Sequence, residues 1–408
     1  EGKLKPLNWQ LLEVEKKKRQ LEQRIWELVI PVYDVLVMGG GIVGAGVARE
    51  AALRGLSVFL AERAEFASGT SSKSTKLIHA GLRYLRFAYD DLKQGDFKSA
   101  FQDLRFMLQD SRERRIIQKI APPGLVSNIP ILIPLYRHSR HGVPMVFIGV
   151  LIYYLLSVIT GGSLPRPKFL FSKKAVLKVA PDLQPAGLRA GFIYWDSLTD
   201  DKELVLANIR SAQNLGVEAR EYCEIVHYVL DPINNYYYVT LKDKRTQKEF
   251  QVKSSSLVNA TGPWIDKVRR LTDSPRENRL ILPRAGMHLD LRRQFFPLSL
   301  YVEASDGREV FLINRPDGTS RLGTTDDPWD DPDNVAPTAE KTDYLLETIN
   351  RVLGNGMVTN EDIIGADAGV RPLVNEEGKK DTGRLSREHK VIIDPQDGLI
   401  NVCGVKLT

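Results

Sequence analysis

The chain has 408 residues, of which 43% are hydrophobic and 26% are charged. This length exceeds what one compact core usually holds and predicts two closely connected domains, while the lack of a fixed-period repeat excludes a solenoid or propeller. The net charge of +6 does not predict nucleic-acid binding, but it is compatible with an anionic substrate or an anionic membrane surface. Cys223 and Cys403 lie far apart without metal-ligand spacing, so we predict buried thiols and no metal site.

Residues 1–31 are predicted to form a helical extension. Apolar residues recur at helical spacing through the charged stretch 11–28, and Pro31 stops the helix. Several glutamates and the lack of a small-residue cleavage site fit neither a signal peptide nor a transit peptide.

A dinucleotide-binding unit is predicted to begin at Tyr33. Residues 33–38 are apolar and typical of a buried parallel strand, and they lead directly into a G-x-G-x-x-G sequence. A helix is predicted over residues 42–54 and a second strand over residues 57–62. Strand, glycines, helix and second strand in this order predict a nucleotide site.

Each glycine of the motif has a physical role. Gly39 permits the tight turn, Gly41 lets a pyrophosphate approach the backbone, and Gly44 lets helix and strand pack closely. Glu62 ends the second strand, where its carboxylate can accept hydrogen bonds from the ribose hydroxyls. An acid there disfavours the 2′-phosphate of NADP, but these residues alone leave FAD and NAD open.

A family resemblance favours FAD. Residues 66–85 read FASGTSSKSTKLIHAGLRYL and closely resemble the signature of FAD-dependent glycerol-3-phosphate dehydrogenases of the membrane-associated, aerobic or mitochondrial type. The resemblance extends through most of the chain from Tyr33 to Thr408. Its further motifs are SNIP at 127–130, DD at 200–201, NATGPW at 259–264, AGMH at 285–288, GTTD at 323–326, GVRPL at 369–373 and GVK at 404–406.

The resemblance implies an α/β fold. A Rossmann-like FAD-binding domain, of the glutathione-reductase or D-amino-acid-oxidase type, would be interleaved with an α+β cap domain. We expect the FAD domain at residues 32–110, 186–270 and 363–408, and the cap at 111–185 and 271–362. Strands near 309–314 and 321–325 predict an antiparallel sheet in the cap. The family's C-terminal helical domain is expected to be absent, because the sequence ends at Thr408.

The resemblance also implies the cofactor residues. On composition alone, the hydroxyl-rich segment 69–75 could be a solvated loop. In the family it lies along FAD, and a second turn of the fold contacts the nucleotide. Besides the three motif glycines and Glu62, the residues matching cofactor-binding positions are Thr70, Ser71, Ser72, Ser74, Leu77, Ala260, Thr261, Gly262 and Gly404.

For the substrate, the resemblance implies a cluster of cations over the flavin. A phosphate dianion is bound best by guanidinium forks or a lysine point charge. The matching residues are Arg83, Arg371, Arg387 and Lys406, with Tyr84 beside the substrate. Arg371 is also assigned to catalysis.

Two histidines, His79 and His288, lie within matching motifs. We expect His288 near the substrate and His79 near the flavin, and the choice of proton acceptor stays open. The implied reaction oxidises sn-glycerol 3-phosphate to dihydroxyacetone phosphate by hydride transfer to flavin N5. Electrons would pass to a quinone or, in some members, to oxygen.

Two other functions stay open. One is an amine or amino-acid oxidase of the same fold, which would need a carboxylate-binding site. The other is a non-catalytic FAD-binding electron-transfer protein, which is favoured by Val405 at a position where the family has glycine.

Residues 143–160 are apolar and carry no charge. As a helix they would extend about 27 Å, so a buried helix, a spanning helix and an element dipping into one leaflet are all considered. Basic residues flank both sides: Arg137, His138 and Arg140 before, and Arg166, Lys168, Lys173 and Lys174 after. With the monotopic attachment of the family, this favours one-leaflet insertion. We therefore expect a bacterial cytoplasmic or mitochondrial inner membrane location near a quinone pool, and a homodimer is kept open.

Overall fold

The computed structural model describes residues 30–79, 81–354, 356–375 and 389–404, together with Val14, Lys16 and Lys17. Those three isolated residues are helical, and the rest of the predicted N-terminal helix lies outside the described residues. Arg387 and Lys406 also lie outside them, and Arg83 is described by its backbone alone.

The first sheet has a parallel centre. Across it the strands are β17 (Lys390–Ile393), β18 (Ile400–Cys403), β10 (Glu249–Asn259), β1 (Val32–Met38), β2 (Val58–Ala61) and β7 (Glu218–Arg220). From β18 to β7 all neighbours are parallel. An antiparallel extension, β8 (Cys223–Asp231) and β9 (Tyr236–Asp243), pairs with β10.

Burial on both faces explains the apolar run of β1. Leu36 packs with one cluster of core residues and Val37 with the other, and both side chains are fully buried. Helices α1 (Ile42–Leu53) and α6 (Asp201–Asn214) cover the Val37 face with alanines and branched side chains. The predicted strand, glycine turn, helix and second strand are confirmed within about two residues.

The second sheet is mainly antiparallel. Its order is β15 (Asp327–Pro328), β11 (Ile281–Leu291), β14 (Ser320–Gly323), β13 (Glu309–Asn314), β12 (Ser299–Glu303), β4 (Val126–Tyr136), β6 (Leu188–Thr199) and β3 (Leu77–Ile78). Two strands lie off this path: β16 (Ile363–Val374) pairs with β11 and β5 (Lys168–Leu170) with β6. Only the β4–β12 pair is parallel among the pairs of this sheet that the structure describes.

Strands β6 and β16 fall within stretches that the sequence assigns to the FAD domain. Both nevertheless pair in the second sheet, because β6 runs beside β4, and β16 runs beside β11, over nearly their full lengths. Sheet pairing thus groups these two strands with the cap strands. The proposed domain limits remain a prediction.

Helices cover both faces of the second sheet. One face packs against α5 (Lys173–Val179) and α7 (Ala339–Leu353), and the other against α2 (Leu82–Lys93), α3 (Phe97–Ile120) and α4 (Val143–Ile159). Alternation along β4 produces this division, since Leu132 faces the first group whereas Ile131 and Ile133 face the second.

Helix α4 is the predicted apolar segment. Tyr153 anchors it: the phenol accepts a hydrogen bond from Arg114 (2.8 Å) and donates one to Asp196 (2.7 Å). Arg114 and Asp196 also pair directly at 3.0 Å, and all three side chains are buried. None of the helices in the described part of the chain is long and apolar enough to cross a bilayer.

Candidate active site

The glycine turn between β1 and α1 has no room for a side chain at Gly39 or Gly44. Gly39 has φ +104°, and a Cβ there would lie 2.7 Å from the carbonyl oxygen of Ala260. A Cβ on Gly44 would lie 1.8 Å from the carbonyl oxygen of Gly39. The turn therefore packs against the Ala260–Gly262 turn, and α1 begins directly after it, so that the helix N-terminus lies where a phosphate would bind.

Glu62 holds this turn in shape. One carboxylate oxygen accepts from the Gly40 amide (2.7 Å), and the other accepts from the Ala64 amide (2.9 Å). A carboxylate has about four acceptor positions, so two of them are left for the ribose hydroxyls that the sequence assigns to it. The glycine turn and this acid fit the adenosine half of a dinucleotide.

The hydroxyl-rich loop 69–75 links the nucleotide turn to the cap. Ser71 Oγ accepts a hydrogen bond from the Ile42 amide at the start of α1 (3.0 Å). Thr70 Oγ1 donates to the carbonyl oxygen of Val370 in β16 (2.6 Å). Ser72 Oγ donates to the Gly69 carbonyl at 3.3 Å. The loop is therefore built into the structure and is not a free solvated segment.

The far end of the loop is fixed by Asp201 at the start of α6. Its buried carboxylate accepts from the Ser74 hydroxyl (2.7 Å) and from the Lys76 ammonium (2.5 Å). Asp200 caps the same helix by accepting from the Glu203 amide. Ser74 therefore points into the protein, and Leu77 follows it as a buried residue of β3.

His288 lies on β11, with 1% of its surface exposed. Its Nε2 is 3.0 Å from Thr75 Oγ1, at the end of the hydroxyl-rich loop. Its Nδ1 has no hydrogen-bond partner among the described side chains and is 3.9 Å from the Asp367 carboxylate. Burial, reinforced by the nearby cations Arg321 and Arg371, holds the pKa of His288 well below its ordinary value. The ring is therefore neutral at neutral pH.

Arg371 lies on β16 with its guanidinium against Gly286. A Cβ on Gly286 would be 2.2 Å from Arg371 Nη2, so the guanidinium occupies the space that a side chain at this position would need. The guanidinium donates to Thr324 Oγ1 (2.7 Å) and pairs with Asp326 (3.3 Å). Gly286 and His288 are two residues apart on the same strand, β11, so the predicted cation and the predicted histidine occupy one region.

Other predicted residues are more dispersed. The Tyr84 ring is buried and lies edge-on to Phe106, with ring centroids 4.8 Å apart. His79 follows β3 and is half-buried, and Gly404 follows β18 with φ +81°. Thr261 Oγ1 donates to Asn259 within the second turn (2.6 Å).

Sequence reasoning missed Arg321. This fully buried guanidinium pairs with Asp367 (2.7 Å) and Asp290 (2.9 Å), and it donates to the carbonyl oxygen of Ser74 (3.0 Å). It therefore joins β14, β11 and β16 to the hydroxyl-rich loop beside His288. Its place two residues before the GTTD motif was the one sequence feature that could have indicated a role in the site.

Comparison with known proteins agrees with this geometry. The model of the family described as FAD dependent oxidoreductase matches residues 34–406. The chain belongs to this family. FAD, the predicted cofactor, is therefore confirmed as the cofactor of the family, and the turns and loop described above fit it.

The family's relatives include aerobic glycerol-3-phosphate dehydrogenases. The Staphylococcus aureus protein is 35% identical over 380 residues, which cover 92% of this chain and 64% of that protein. The glycerol-3-phosphate dehydrogenase of Bacillus halodurans, solved with FAD, has a TM-score of 0.70 at 27% identity. The match covers 95% of this chain and 64% of that protein. The chain thus spans slightly less than two thirds of the length of these relatives, and the predicted resemblance is confirmed.

A third structure supports the fold. The L-alpha-glycerophosphate oxidase of Mycoplasma pneumoniae, solved with FAD, has a TM-score of 0.65 at 16% identity, over 92% of this chain and 90% of that one. The predicted Rossmann-like α/β fold is thereby confirmed.

Proposed function

We propose that this chain oxidises sn-glycerol 3-phosphate to dihydroxyacetone phosphate with bound FAD. The observation that carries the proposal is the loop 69–75, which bonds at Ser71 to the start of α1 and at Thr75 to His288. One continuous segment thus connects the glycine turn to His288, and its Ser74 carbonyl also accepts a hydrogen bond from Arg321. When bound, FAD supplies the acceptor for the C2 hydride at N5 and a route for the two electrons to a quinone.

Arg371 is proposed to hold the phosphate. Its side chain is 20% exposed, and Thr324 and Asp326 orient the guanidinium and hold it in one position. A preorganised guanidinium binds a phosphoryl oxyanion through two parallel hydrogen bonds. Arg83, Arg387 and Lys406 are proposed as further cations, on sequence grounds alone.

His288 is proposed to accept the proton of the 2-hydroxyl as the hydride leaves C2. Its lowered pKa keeps the ring neutral and a lone pair available. Because Nε2 contacts the Thr75 hydroxyl, that hydroxyl can pass the proton to the ring. His79 is the alternative acceptor, closer in sequence to the loop.

The absorption spectrum of the FAD-loaded protein tests this proposal. Anaerobic glycerol 3-phosphate should bleach the visible absorption band of the oxidised flavin, because the flavin accepts the hydride, whereas D- and L-amino acids should not. Bleaching by an amino acid alone would identify an oxidase of the same fold, and no bleaching by either would favour an electron-transfer protein. A His288→Gln variant that loses bleaching while His79→Gln keeps it would assign the proton acceptor.

We also propose that the protein attaches to one leaflet of an anionic membrane through α4. Val150, Tyr153 and Ser157 point inward and are buried, whereas Ile148, Leu155, Val158 and Ile159 point outward and are 45–74% exposed. An apolar helix face of this kind, flanked by basic residues, suits the interface of an anionic bilayer. Reduced flavin would then lie near membrane quinone.

Vesicle flotation tests this attachment. The double variant Ile148→Glu/Leu155→Glu should lose binding to vesicles that contain anionic lipid. Ile233→Glu is the matched control, because Ile233 is 90% exposed in the β8–β9 turn, away from α4. Equal binding by all three proteins would show that the outward face of α4 has another role.

A further inference from the structure

Residues 329–334, here called the acidic loop, cross from the cap to the nucleotide-binding turns. The loop follows β15, and its Trp329 amide donates to the carbonyl oxygen of Pro283 in β11 (3.1 Å). Asp331 shapes it from within by accepting from the Asp333 amide (3.2 Å). The loop is therefore organised before it reaches the FAD domain.

Asp333 makes the contact with that domain. One carboxylate oxygen accepts from Arg63 Nη2 (2.6 Å) and from Trp264 Nε1 (2.7 Å), and the other accepts from Lys267 Nζ (2.6 Å). Lys267 also donates to Asp331 (2.8 Å). Three donors on two separate segments thus converge on a single carboxylate, and these charge-assisted bonds lower the pKa of Asp333.

The three donors adjoin the segments that line the proposed cofactor site. Arg63 immediately follows Glu62, and Trp264 is two residues after Gly262. The Trp264 ring is stacked on the Arg63 guanidinium at 4.3 Å, and it would be 3.2 Å from a Cβ on Gly69, where the hydroxyl-rich loop begins. A single tryptophan therefore contacts the start of that loop, the residue after Glu62, and the acidic loop.

We propose that the acidic loop is a strap that holds the nucleotide half of FAD in place, with Asp333 as its positioning residue. Asp333 touches neither the predicted phosphate turn nor the predicted flavin loop. It acts through Arg63 and Trp264, whose backbones continue into Glu62 and the second turn. FAD can leave only when these segments separate, so the three bonds to Asp333 slow its release.

The chain supplies a matched control in the same loop. Asp330 pairs with Arg279 (3.0 Å), but its side chain is 85% exposed and this pair does not reach Arg63 or Trp264. Asp333→Asn and Asp330→Asn each remove one carboxylate charge from the acidic loop. Only the first variant removes a charge that faces the nucleotide turns.

FAD release from each loaded protein is measured after dilution, by the rise in flavin fluorescence. Asp333→Asn should release FAD roughly tenfold faster than the unmodified chain, as expected for losing one strong charge-assisted contact, and Asp330→Asn should be within twofold. Because the bonds are about half exposed, sodium chloride should accelerate release from the unmodified chain and have little effect on Asp333→Asn. Trp264→Phe removes the Nε1 donor together with the indole atoms nearest Gly69, so it should also release FAD faster than the unmodified chain.

Urea unfolding of the apoproteins separates positioning from general stability. We expect the Asp333→Asn and Asp330→Asn apoproteins to unfold at the same urea midpoint. The proposal is overturned if the FAD release rate of a variant follows its apoprotein stability. It is also overturned if the two variants release FAD at the same rate. The inference rests on the proposed FAD site. If the unmodified chain binds no FAD, the proposed function fails; if it binds FAD and Asp333→Asn releases it no faster, only the strap fails.

Discussion

The space over Gly286 gives the sharpest test of the substrate site. A Cβ at this position would lie 2.2 Å from Arg371 Nη2 and 2.5 Å from Nη1. The backbone of Gly286 does not have a positive φ, so alanine is tolerated by the strand itself. Gly286→Ala therefore displaces one guanidinium and leaves its charge in the protein.

The size of the displacement follows from the contact distances. Ordinary van der Waals contact begins at 3.4 Å, so Nη2 has to move by about 1.2 Å, and we expect this to disrupt its 2.7 Å bond to Thr324. A misplacement of about 1 Å in a positioning group costs roughly 100-fold in rate, or about 2.7 kcal/mol. We expect kcat/KM for glycerol 3-phosphate to fall by that amount.

Steady-state kinetics with a dye acceptor measure this change, and FAD content is determined for each preparation. Gly365→Ala is the matched control: Gly365 lies on the same strand as Arg371, and its Cβ would make only ordinary contact with Asp290, at 3.8 Å. It should remain within about twofold of the unmodified chain. Unchanged kcat/KM in Gly286→Ala would refute the role of Arg371 in holding phosphate, and loss of FAD would reassign the guanidinium to the cofactor.

Three further predictions concern the nucleotide turn, the buried histidine and the apolar helix. Gly44→Ala should purify without FAD, as judged by absorbance, because its Cβ would overlap the Gly39 carbonyl oxygen. His288 is protonated near pH 6.5 in the unfolded chain, but its lowered pKa keeps it neutral in the folded protein. The free energy of unfolding in urea should therefore fall as pH drops below about 6.5, by up to ~1.4 kcal/mol per pH unit. His288→Gln should reduce this dependence on pH. Tyr153→Phe should lower the free energy of unfolding in urea by about 1–3 kcal/mol, since it removes a buried donor to Asp196, and an unchanged value would contradict a stabilising role for this contact.

The local sequence pattern was sufficient to predict the unit formed by β1, the glycine turn and α1. The β1 strand, the glycine turn and α1 are contiguous, and each is specified by burial or backbone geometry that a short segment reveals. The need for glycine at Gly44 is an example, since helix and strand approach within a few residues of each other. The position of Glu62 followed from the same reasoning, but its bonds to the Gly40 and Ala64 amides did not, because a sequence does not show which backbone donors remain unpaired.

Strand pairing was harder to predict than the strands themselves. β6 and β16 lie within stretches that the sequence assigns to the FAD domain, yet each pairs with a strand from a stretch assigned to the cap. Antiparallel pairing between β11 and β16 brings together residues about 80 positions apart, such as Gly286 and Gly369. This register places His288 opposite Asp367 and brings Arg371 over Gly286.

The electrostatics of the site depend on such distant pairs. Arg321 is separated from Ser74 by 247 residues and from Asp367 by 46. Its place beside the GTTD motif is a local signal, but it does not show that the guanidinium is buried or which residues it contacts. Two carboxylates, Asp290 and Asp367, stabilise its charge inside the protein. That charge, added to burial, keeps His288 neutral, so the predicted proton acceptor depends on a cation that only the folded chain reveals. A substitution that removed Arg321 would leave the Asp367 carboxylate, 3.9 Å from His288, without its arginine partner, whereas Asp290 would keep Arg315. The pKa of His288 should then rise, which changes the protonation of the histidine without altering the histidine itself.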